Sequence, residues 1–194
     1  MAPTVLHASM SIDGFVAGPD VSVEHPMGVG GERLHHWLLV PDGRRDPVDD
    51  RIAADMSAEV GAVVVGRRTF DVGLPQWEDV PYPVATFVLT HRPRPPLPQT
   101  SGTFTFVSGV ADAVAQARAA AGDRSVMVMG GETGGTLLRA GLLDEVQLNV
   151  VPVVLGAGVR LFQGLDAQTY ELTRTVVVAS PVVTHIRFRI VRPT

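Results

Sequence analysis

The sequence predicts an α/β protein with a mixed, mostly parallel sheet, flanking helices and an antiparallel C-terminal edge. Two observations support this fold class. Between residues 60 and 140, short apolar runs alternate with segments of helical pattern, as expected of parallel strands joined by right-handed crossovers. After residue 143, long alternating segments follow one another without helices, which is typical of antiparallel strands. The length of 194 residues suits one domain, 1–194.

The first half of the chain is divided by turns and by one long connection. Residues 4–12 are mostly apolar and end at Asp13-Gly14, which predicts a strand and a turn. The segment from Pro19 to Pro47 is rich in Gly, Pro and His, and its length favours a functional lid, with a short helix or packed loop at RLHHWLLV. Asp49 and Asp50 are the candidate caps of a helix over residues 49–60.

The other elements follow from apolar runs and from helical spacing. The proline-rich stretch 91–100 follows one of the predicted strands and resembles a linker, but it is too short to separate domains. Strands are predicted at 61–66, 83–90, 102–107, 125–130, 144–155, 169–180 and 182–191, and helices at 67–73, 110–121 and 133–140.

Composition excludes several classes of function. The formal net charge of −4 provides no basic excess for nucleic acid. The absence of cysteine excludes disulfides, thiolate metal sites and thiol nucleophiles. No apolar run reaches the ~18–20 residues of a membrane span, and the N-terminus lacks a signal-peptide pattern. We therefore expect a soluble, cytoplasmic protein that binds neither nucleic acid nor membrane.

Glycine, hydroxyl or basic residues follow three of the predicted parallel strands. Ligands gather at the carboxyl ends of such strands, where helix N-termini bind anions, so the three strand ends together indicate one phosphate-rich ligand. Each is ambiguous alone, because glycines also serve tight turns and the arginines could pair with carboxylates such as Asp71. The residues are Gly66, Arg67, Arg68 and Thr69; Thr90, His91 and Arg92; and Gly130, Gly131, Thr133, Gly134 and Gly135.

Several familiar motifs are missing. A P-loop needs lysine before Thr136, where Gly135 stands, and GAGVRL at 156–161 lacks the third glycine of a Rossmann fingerprint. We interpret GAGVRL as a strand-end turn. The adjacent His35 and His36 do not have metal-ligand spacing, so no metal site is expected. His185 is expected to be an ordinary sheet residue.

Five segments in order resemble the dihydrofolate reductase superfamily, and most of all the branch related to the reductase domain of riboflavin biosynthesis. They span nearly the whole chain and are SIDGFVAG at 11–18, VVVGRRTFD at 63–71, VLTHRP at 88–93, VMGGETGGTLL at 128–138 and GLLDEVQLNVVPVVLGAGVRLF at 141–162.

This resemblance implies NADPH bound across the carboxyl edge of the sheet. Gly66 to Thr69 would hold the adenosine phosphates, and residues 90–92 would surround the adenine and 2′-phosphate. The glycine-rich turn, with Thr133, would cradle the diphosphate. Ser9, Ser11, Ile12, Asp13 and Val16 would approach the nicotinamide. Arginines near a ribose 2′-phosphate favour NADP over NAD.

The resemblance also provides candidate catalytic residues, each with a structural alternative. Asp13 is a candidate proton source by location, or simply part of an Asp-Gly turn. Asp50 lies on the helix where dihydrofolate reductases carry a carboxylate facing the pterin, as do Asp49 and Asp55, or it is a cap or an exposed residue. Trp37 is a candidate wall for a flat substrate, or it pins the long loop to the core.

The expected function is NADPH-dependent reduction of a small heterocyclic, pterin- or pyrimidine-like substrate, similar to 5-amino-6-(5-phosphoribosylamino)uracil reductase. Riboflavin-pathway reductases of this kind commonly have a basic residue and an acidic residue where this chain has Phe15 and Met129. These differences argue against a phosphoribosyl substrate. The alternative is an NADP(H)-binding sensor without turnover. The alternating strand DEVQLNVVPVVL and its neighbours could also form a homodimer surface.

Overall fold

The computed structural model describes residues 1–40, 43, 45–77, 83–100, 102–165 and 168–192. The strands are β1 (Thr4–Ser11), β2 (Phe15–Ala17), β3 (Val60–Gly66), β4 (Ala85–Leu89), β5 (Leu97–Gln99), β6 (Gly102–Val107), β7 (Ser125–Met129), β8 (Glu145–Val151), β9 (Val159–Arg160), β10 (Leu172–Ala179) and β11 (Thr184–Ile190). The helices are α1 (Pro47–Glu59), α2 (Arg67–Gly73), α3 (Val110–Ala121) and α4 (Gly131–Arg139), with a 3-10 turn at Gly31–His35.

Nine strands form one sheet in the order β10-β11-β8-β1-β7-β3-β4-β6-β5. The six strands from β8 to β6 in this order are parallel, whereas β11 pairs antiparallel with both β8 and β10. The predicted fold class is therefore confirmed. The strand β8 joins the two parts, since it runs parallel to β1 and antiparallel to β11. Three short strands, β2, β5 and β9, are not predicted by the sequence.

One face of the sheet is covered by α3 and α4. Alternation along β1 directs Leu6 to this face, where it packs with Val114 of α3 and Leu137 of α4. A second apolar cluster, which includes Val64 and Ala117, continues this layer beneath α3. This side of the sheet is a conventional apolar core.

The opposite face carries two separate apolar clusters. One lies beneath α1 and includes Trp37, Ala53 and Val151. The other lies beneath α2 and includes Val63 and Phe70. Between the buried parts of these clusters lie two residues of β1, His7 and Ser9, and two residues of β7, Met127 and Met129. Ser9 is buried and the other three are partly exposed. We call this strip of four residues the central groove.

The start of α1 differs from the prediction by two residues. Asp46 caps the helix, since its Oδ1 accepts a hydrogen bond from the Val48 backbone N–H at 2.8 Å. Asp49 instead points inward and is fully buried, whereas Asp50 points outward and pairs with Arg45. Neither Asp49 nor Asp50 is the cap. No helix among the described residues combines the length and apolar character needed to cross a membrane.

Candidate cofactor and substrate site

The three predicted strand ends lie side by side. β7, β3 and β4 are consecutive in the sheet, and Val65 lies opposite Met129 while Gly66 lies opposite Leu89. The sheet therefore brings Gly66, Thr90 and Gly130 together at its carboxyl edge. This is the arrangement that the sequence predicts for a ligand crossing several strand ends.

The turns after β3 and β7 interlock through a glycine and a threonine from each. A Cβ atom added to Gly66 would lie 2.5 Å from Thr133 Oγ1, and one added to Gly130 would lie 3.0 Å from Thr69 Oγ1. Gly130 also has a φ of 91°, which a residue with a side chain rarely adopts. Each turn therefore requires glycine because the hydroxyl of the other turn occupies the space.

Helix α4 begins at this junction. Its first helical bond runs from the Gly134 N–H to the Gly130 carbonyl at 2.9 Å, and no side chain caps its N-terminus. The N–H groups of Gly131–Thr133 thus have no acceptor within the helix, which is the usual basis of an anion site. Val16 approaches from the first loop, since its Cγ2 would lie 3.5 Å from a Cβ at Gly131.

The surroundings of Gly134 and Gly135 favour a role in the packing of α4 over the predicted role in a phosphate cradle. The Gly134 N–H is already bonded within the helix. A Cβ at Gly134 would lie 2.6 Å from Leu6 Cδ2, so this glycine lets α4 approach β1 closely. Gly135 is buried within the same helix, where its Cβ would meet Leu165 at 3.7 Å.

The basic residues of the edge have different surroundings. Arg67 Nε contacts both carboxylate oxygens of Asp71 at 2.8 Å, so the ion-pair interpretation holds for this arginine. Arg68, His91 and Arg92 are exposed beside the strand ends. Thr90 is buried, and its Oγ1 accepts a hydrogen bond from the Arg92 N–H at 3.1 Å, which shapes the turn. Recognition of a 2′-phosphate by these residues stays a prediction.

Asp13 anchors the first loop to the segment after β8. Its carboxylate accepts hydrogen bonds from the backbone N–H groups of Leu155 at 3.1 Å and Gly156 at 2.7 Å. The Ser11 hydroxyl, together with these amides, lowers the pKa of Asp13 to about 2. An ionised and bonded carboxylate suits a loop anchor and does not suit the predicted proton source. The neighbouring Ile12 is 62% exposed, whereas Ser9 is buried.

Arg160 is a site residue that the sequence did not reveal. It lies in the GAGVRL segment, where β9 pairs with β2 to hold the first loop. Its guanidinium donates from Nη1 to the Asp13 carbonyl at 3.1 Å and lies 4.4 Å from the centre of the Phe15 ring. A cation thus stacks on Phe15, the position where related reductases commonly carry a basic residue. Such stacking is favourable because the ring face is electronegative.

Trp37 pins the long loop to the core. The indole is 3% exposed, and its Nε1 donates a hydrogen bond to Ser9 Oγ at 3.0 Å. Its ring also meets that of His185 edge-on, with 4.9 Å between ring centres. The structural alternative for Trp37 is therefore confirmed, and the loop it pins borders the central groove through Ser9.

His185 is not the ordinary sheet residue that we expected. Its Nε2 lies 3.0 Å from Asp49 Oδ1 and its Nδ1 lies 2.8 Å from Asn149 Oδ1, while the Ser180 hydroxyl donates to Asp49 Oδ2. His185, Asp49 and Asn149 are at most 2% exposed. The inward carboxylate of α1 is thus Asp49, and the predicted candidate Asp50 lies on the outer face. The sequence contained one signal that Asp49 faces inward: it stands four residues before the buried Ala53 and therefore lies on the same face of the helix.

Comparison with known proteins agrees with this architecture. Residues 4–184 match the RibD C-terminal domain family, so the chain belongs to that family. It is 27% identical over 168 residues to an uncharacterized protein, YwjB, of Bacillus subtilis strain 168, and the matched region covers 86% of each protein.

Solved structures show the same fold. A protein from Shewanella sp. PV-4, described as a candidate riboflavin biosynthesis protein, has a TM-score of 0.74 at 24% identity and covers 99% of this chain and 100% of its own. Dihydrofolate reductase from Enterococcus faecalis, complexed with NADP(H), has a TM-score of 0.56 at 14% identity and covers 97% and 96%. The Thermotoga maritima deaminase and 5-amino-6-(5-phosphoribosylamino)uracil reductase has a TM-score of 0.62 at 16% identity, covering 98% of this chain and 57% of its own. The fold is dihydrofolate reductase-like, and the family indicates an oxidoreductase related to the reductases of riboflavin biosynthesis.

Proposed function

We propose that this protein is an NADPH-dependent reductase of a small heterocyclic, pterin- or pyrimidine-like substrate. The observation that carries the proposal is the junction of the β3 and β7 turns. Gly66 and Gly130 let the two turns meet there with the hydroxyls of Thr133 and Thr69 at the junction, and the uncapped start of α4 adds N–H donors. A diphosphate is the part of NADPH that this combination of hydroxyls and helix N-terminus suits.

The rest of the edge supports the same cofactor. Thr69 and Thr133 present hydroxyls at the junction, and Val16 of β2 and the Arg160 carbonyl of β9 border it at Gly131. Arg68 and Arg92 would face the 2′-phosphate, because both are exposed at neighbouring strand ends. When bound, NADPH would supply the hydride, while the protein supplies position and shelter from water. Asp13 would act in this scheme by holding the first loop against the cofactor.

The test of cofactor binding uses a matched pair of glycine variants. Gly66→Ala places a methyl group against Thr133, whereas Gly135→Ala meets ordinary contact distances. We expect NADPH to quench or shift the intrinsic fluorescence of the wild type and of Gly135→Ala, with binding at least ten-fold weaker in Gly66→Ala. Equal binding by both variants, with both folded by circular dichroism, would contradict the cradle.

The arginines distinguish the two nicotinamide cofactors. The double variant Arg67→Ala/Arg68→Ala should weaken NADPH more than NADH, because only NADPH carries the additional phosphate. Since Arg67 is held by Asp71, we expect the single variant Arg68→Ala to reproduce most of the loss. Equal losses for the two cofactors in a titration would argue against the 2′-phosphate assignment.

Turnover is tested by following NADPH absorbance at 340 nm with pterins, flavin precursors and other conjugated heterocycles. Oxidation of NADPH by at least one compound is the expected result. Binding of NADPH without oxidation across a broad panel would favour the sensor alternative.

We also propose that the chain forms a homodimer through the β10 edge of the sheet. Both faces of β10 are exposed, including Leu172, Val176 and Val177 at 41%, 42% and 51%. A long edge strand with exposed apolar side chains favours pairing with another chain. Light scattering tests this proposal: we expect the mass of a dimer for the wild type and the mass of a monomer for Val177→Lys. The proposal includes a cytoplasmic location, which suits a cysteine-free sequence and a need for NADPH.

A further inference from the structure

His7 lies on the floor of the central groove. It points to the same face of β1 as Ser9, two residues away, because side chains alternate along a strand. On the next strands, Gln147 of β8 and then Arg187 of β11 lie in register with it. The apolar clusters beneath α1 and α2 flank this position. His7 therefore belongs to a row of polar side chains that lies between two apolar clusters.

The Nδ1 atom of His7 is buried and has no hydrogen-bond partner. Leaving a buried polar atom unpaired costs about 1–3 kcal/mol, so such an atom in a folded protein calls for an explanation. His35 also has a buried Nδ1 without a partner, but it lies on the 3-10 turn and not on the sheet. His7 instead lies on β1, among the residues of the central groove, which adjoins the proposed cofactor edge.

The charged side chains near His7 are bonded to one another and not to its ring. Arg187 is the nearby cation, and its Nε and Nη1 are bonded to Glu145 at 2.6 Å and to Glu59 at 3.0 Å. Burial, aided by the positive charge of Arg187, lowers the pKa of His7 to about 4. The imidazole is thus neutral at physiological pH, and a neutral imidazole can either donate or accept a hydrogen bond.

We propose that His7 binds the substrate in the central groove, through a hydrogen bond between its Nδ1 atom and an uncharged N–H or C=O group of a heterocycle. The inference rests on the proposed reductase function and specifies the substrate further. The ring edge that reaches His7 is uncharged, because the imidazole is neutral and the nearby Arg187 guanidinium is already bonded to Glu145 and Glu59. Met127 and Met129 provide an apolar surface beside it for the rest of the ring.

The test compares three histidine variants. His7→Leu removes the unpaired nitrogen, His7→Gln keeps a hydrogen-bonding group, and His25→Leu changes an exposed histidine elsewhere as the control. If His7 binds the substrate, His7→Leu should have a Tm equal to or above that of the wild type. Its kcat/KM for a heterocycle that the wild type reduces should fall about ten-fold, which corresponds to one neutral hydrogen bond. His7→Gln should recover part of the loss, and NADPH affinity should not change. A lower Tm with unchanged kcat/KM would instead assign His7 a structural role.

A binding measurement makes the test independent of turnover. In protein labelled with ¹⁵N-histidine and saturated with NADP⁺, pterin, lumazine or 5-aminouracil should shift the His7 ring resonances and leave those of His25 unchanged. If NADPH binds but no compound shifts His7 and none is reduced, the substrate proposal is wrong and the cofactor assignment stands. If NADPH itself does not bind, the proposed function fails together with the substrate proposal.

Discussion

Two histidines on the same face of the sheet have opposite environments. His185 on β11 has a partner for each ring nitrogen, Asp49 and Asn149, and is 1% exposed. His7 on β1 has a buried Nδ1 atom without any partner. The β8 strand separates the two strands that carry them. Their hydrogen bonds distinguish their roles: His185 is built into the fold, and His7 is available to a ligand.

The largest effect on stability should come from breaking the hydrogen bonds that His185 forms with Asp49 and Asn149. In His185→Leu the buried Asp49 carboxylate keeps the Ser180 hydroxyl but loses its hydrogen bond to the imidazole, and leaving a buried polar group without its partner costs about 1–3 kcal/mol, or more for a charged group. Urea unfolding of His185→Leu should show this decrease in the free energy of unfolding. His7→Leu is the matched control, and a similar decrease there would remove the contrast between the two histidines.

A smaller decrease in the free energy of unfolding is expected from the hydrogen bond that joins Trp37, which packs on His185, to Ser9 in the central groove. Trp37→Phe keeps an aromatic ring against His185 but removes the hydrogen bond from Nε1 to Ser9. We expect a loss of about 1 kcal/mol, the usual net value of one hydrogen bond. A double-mutant cycle with Ser9→Ala measures this interaction directly. Additive effects of the two substitutions would show that Trp37 does not connect the cluster to the groove.

Asp13 should make the stability of the fold depend on pH only in the acid range. Its pKa in the folded protein is about 2, below the ordinary value of 3.8, so the ionised form stabilises the fold above pH 4. This contribution decreases as the pH falls from about 4 through 2, where the carboxylate is protonated. Asp13→Asn should flatten that part of the curve of Tm against pH. An unchanged curve would mean that the bonds to Leu155 and Gly156 do not hold the loop.

The smallest effect should be that of Asp50, the candidate one residue from Asp49. It forms an exposed pair with Arg45, with 58% of its side chain accessible, and such pairs contribute about 0–1 kcal/mol. Asp50→Ala should therefore barely change the urea midpoint or the rate of NADPH oxidation. A large loss of activity would restore Asp50 as a catalytic candidate.

Much of the fold could be predicted because its signals are local. The apolar run of β3, the helical spacing of α3 and the glycines after β7 each depend on a few adjacent residues. The short strands β2 and β9 could not be predicted, since they exist through pairing with each other. The same holds for the site: Gly66 and Gly130 were identified from turn chemistry, whereas Arg160 reaches Phe15 only through that pairing.

The sequence by itself determined the alternation of strands and helices, the glycine, hydroxyl and basic residues at three strand ends and the family to which the chain is similar. Only the tertiary structure decided which of two adjacent aspartates faces inward, which glycines serve packing and whether the ring nitrogens of His7 and His185 have partners. The physical reason is range. Backbone conformation and hydrophobic periodicity are set by near neighbours, whereas hydrogen-bond satisfaction depends on groups distant in sequence, such as Asp49 and His185, that meet only when the sheet and α1 have assembled.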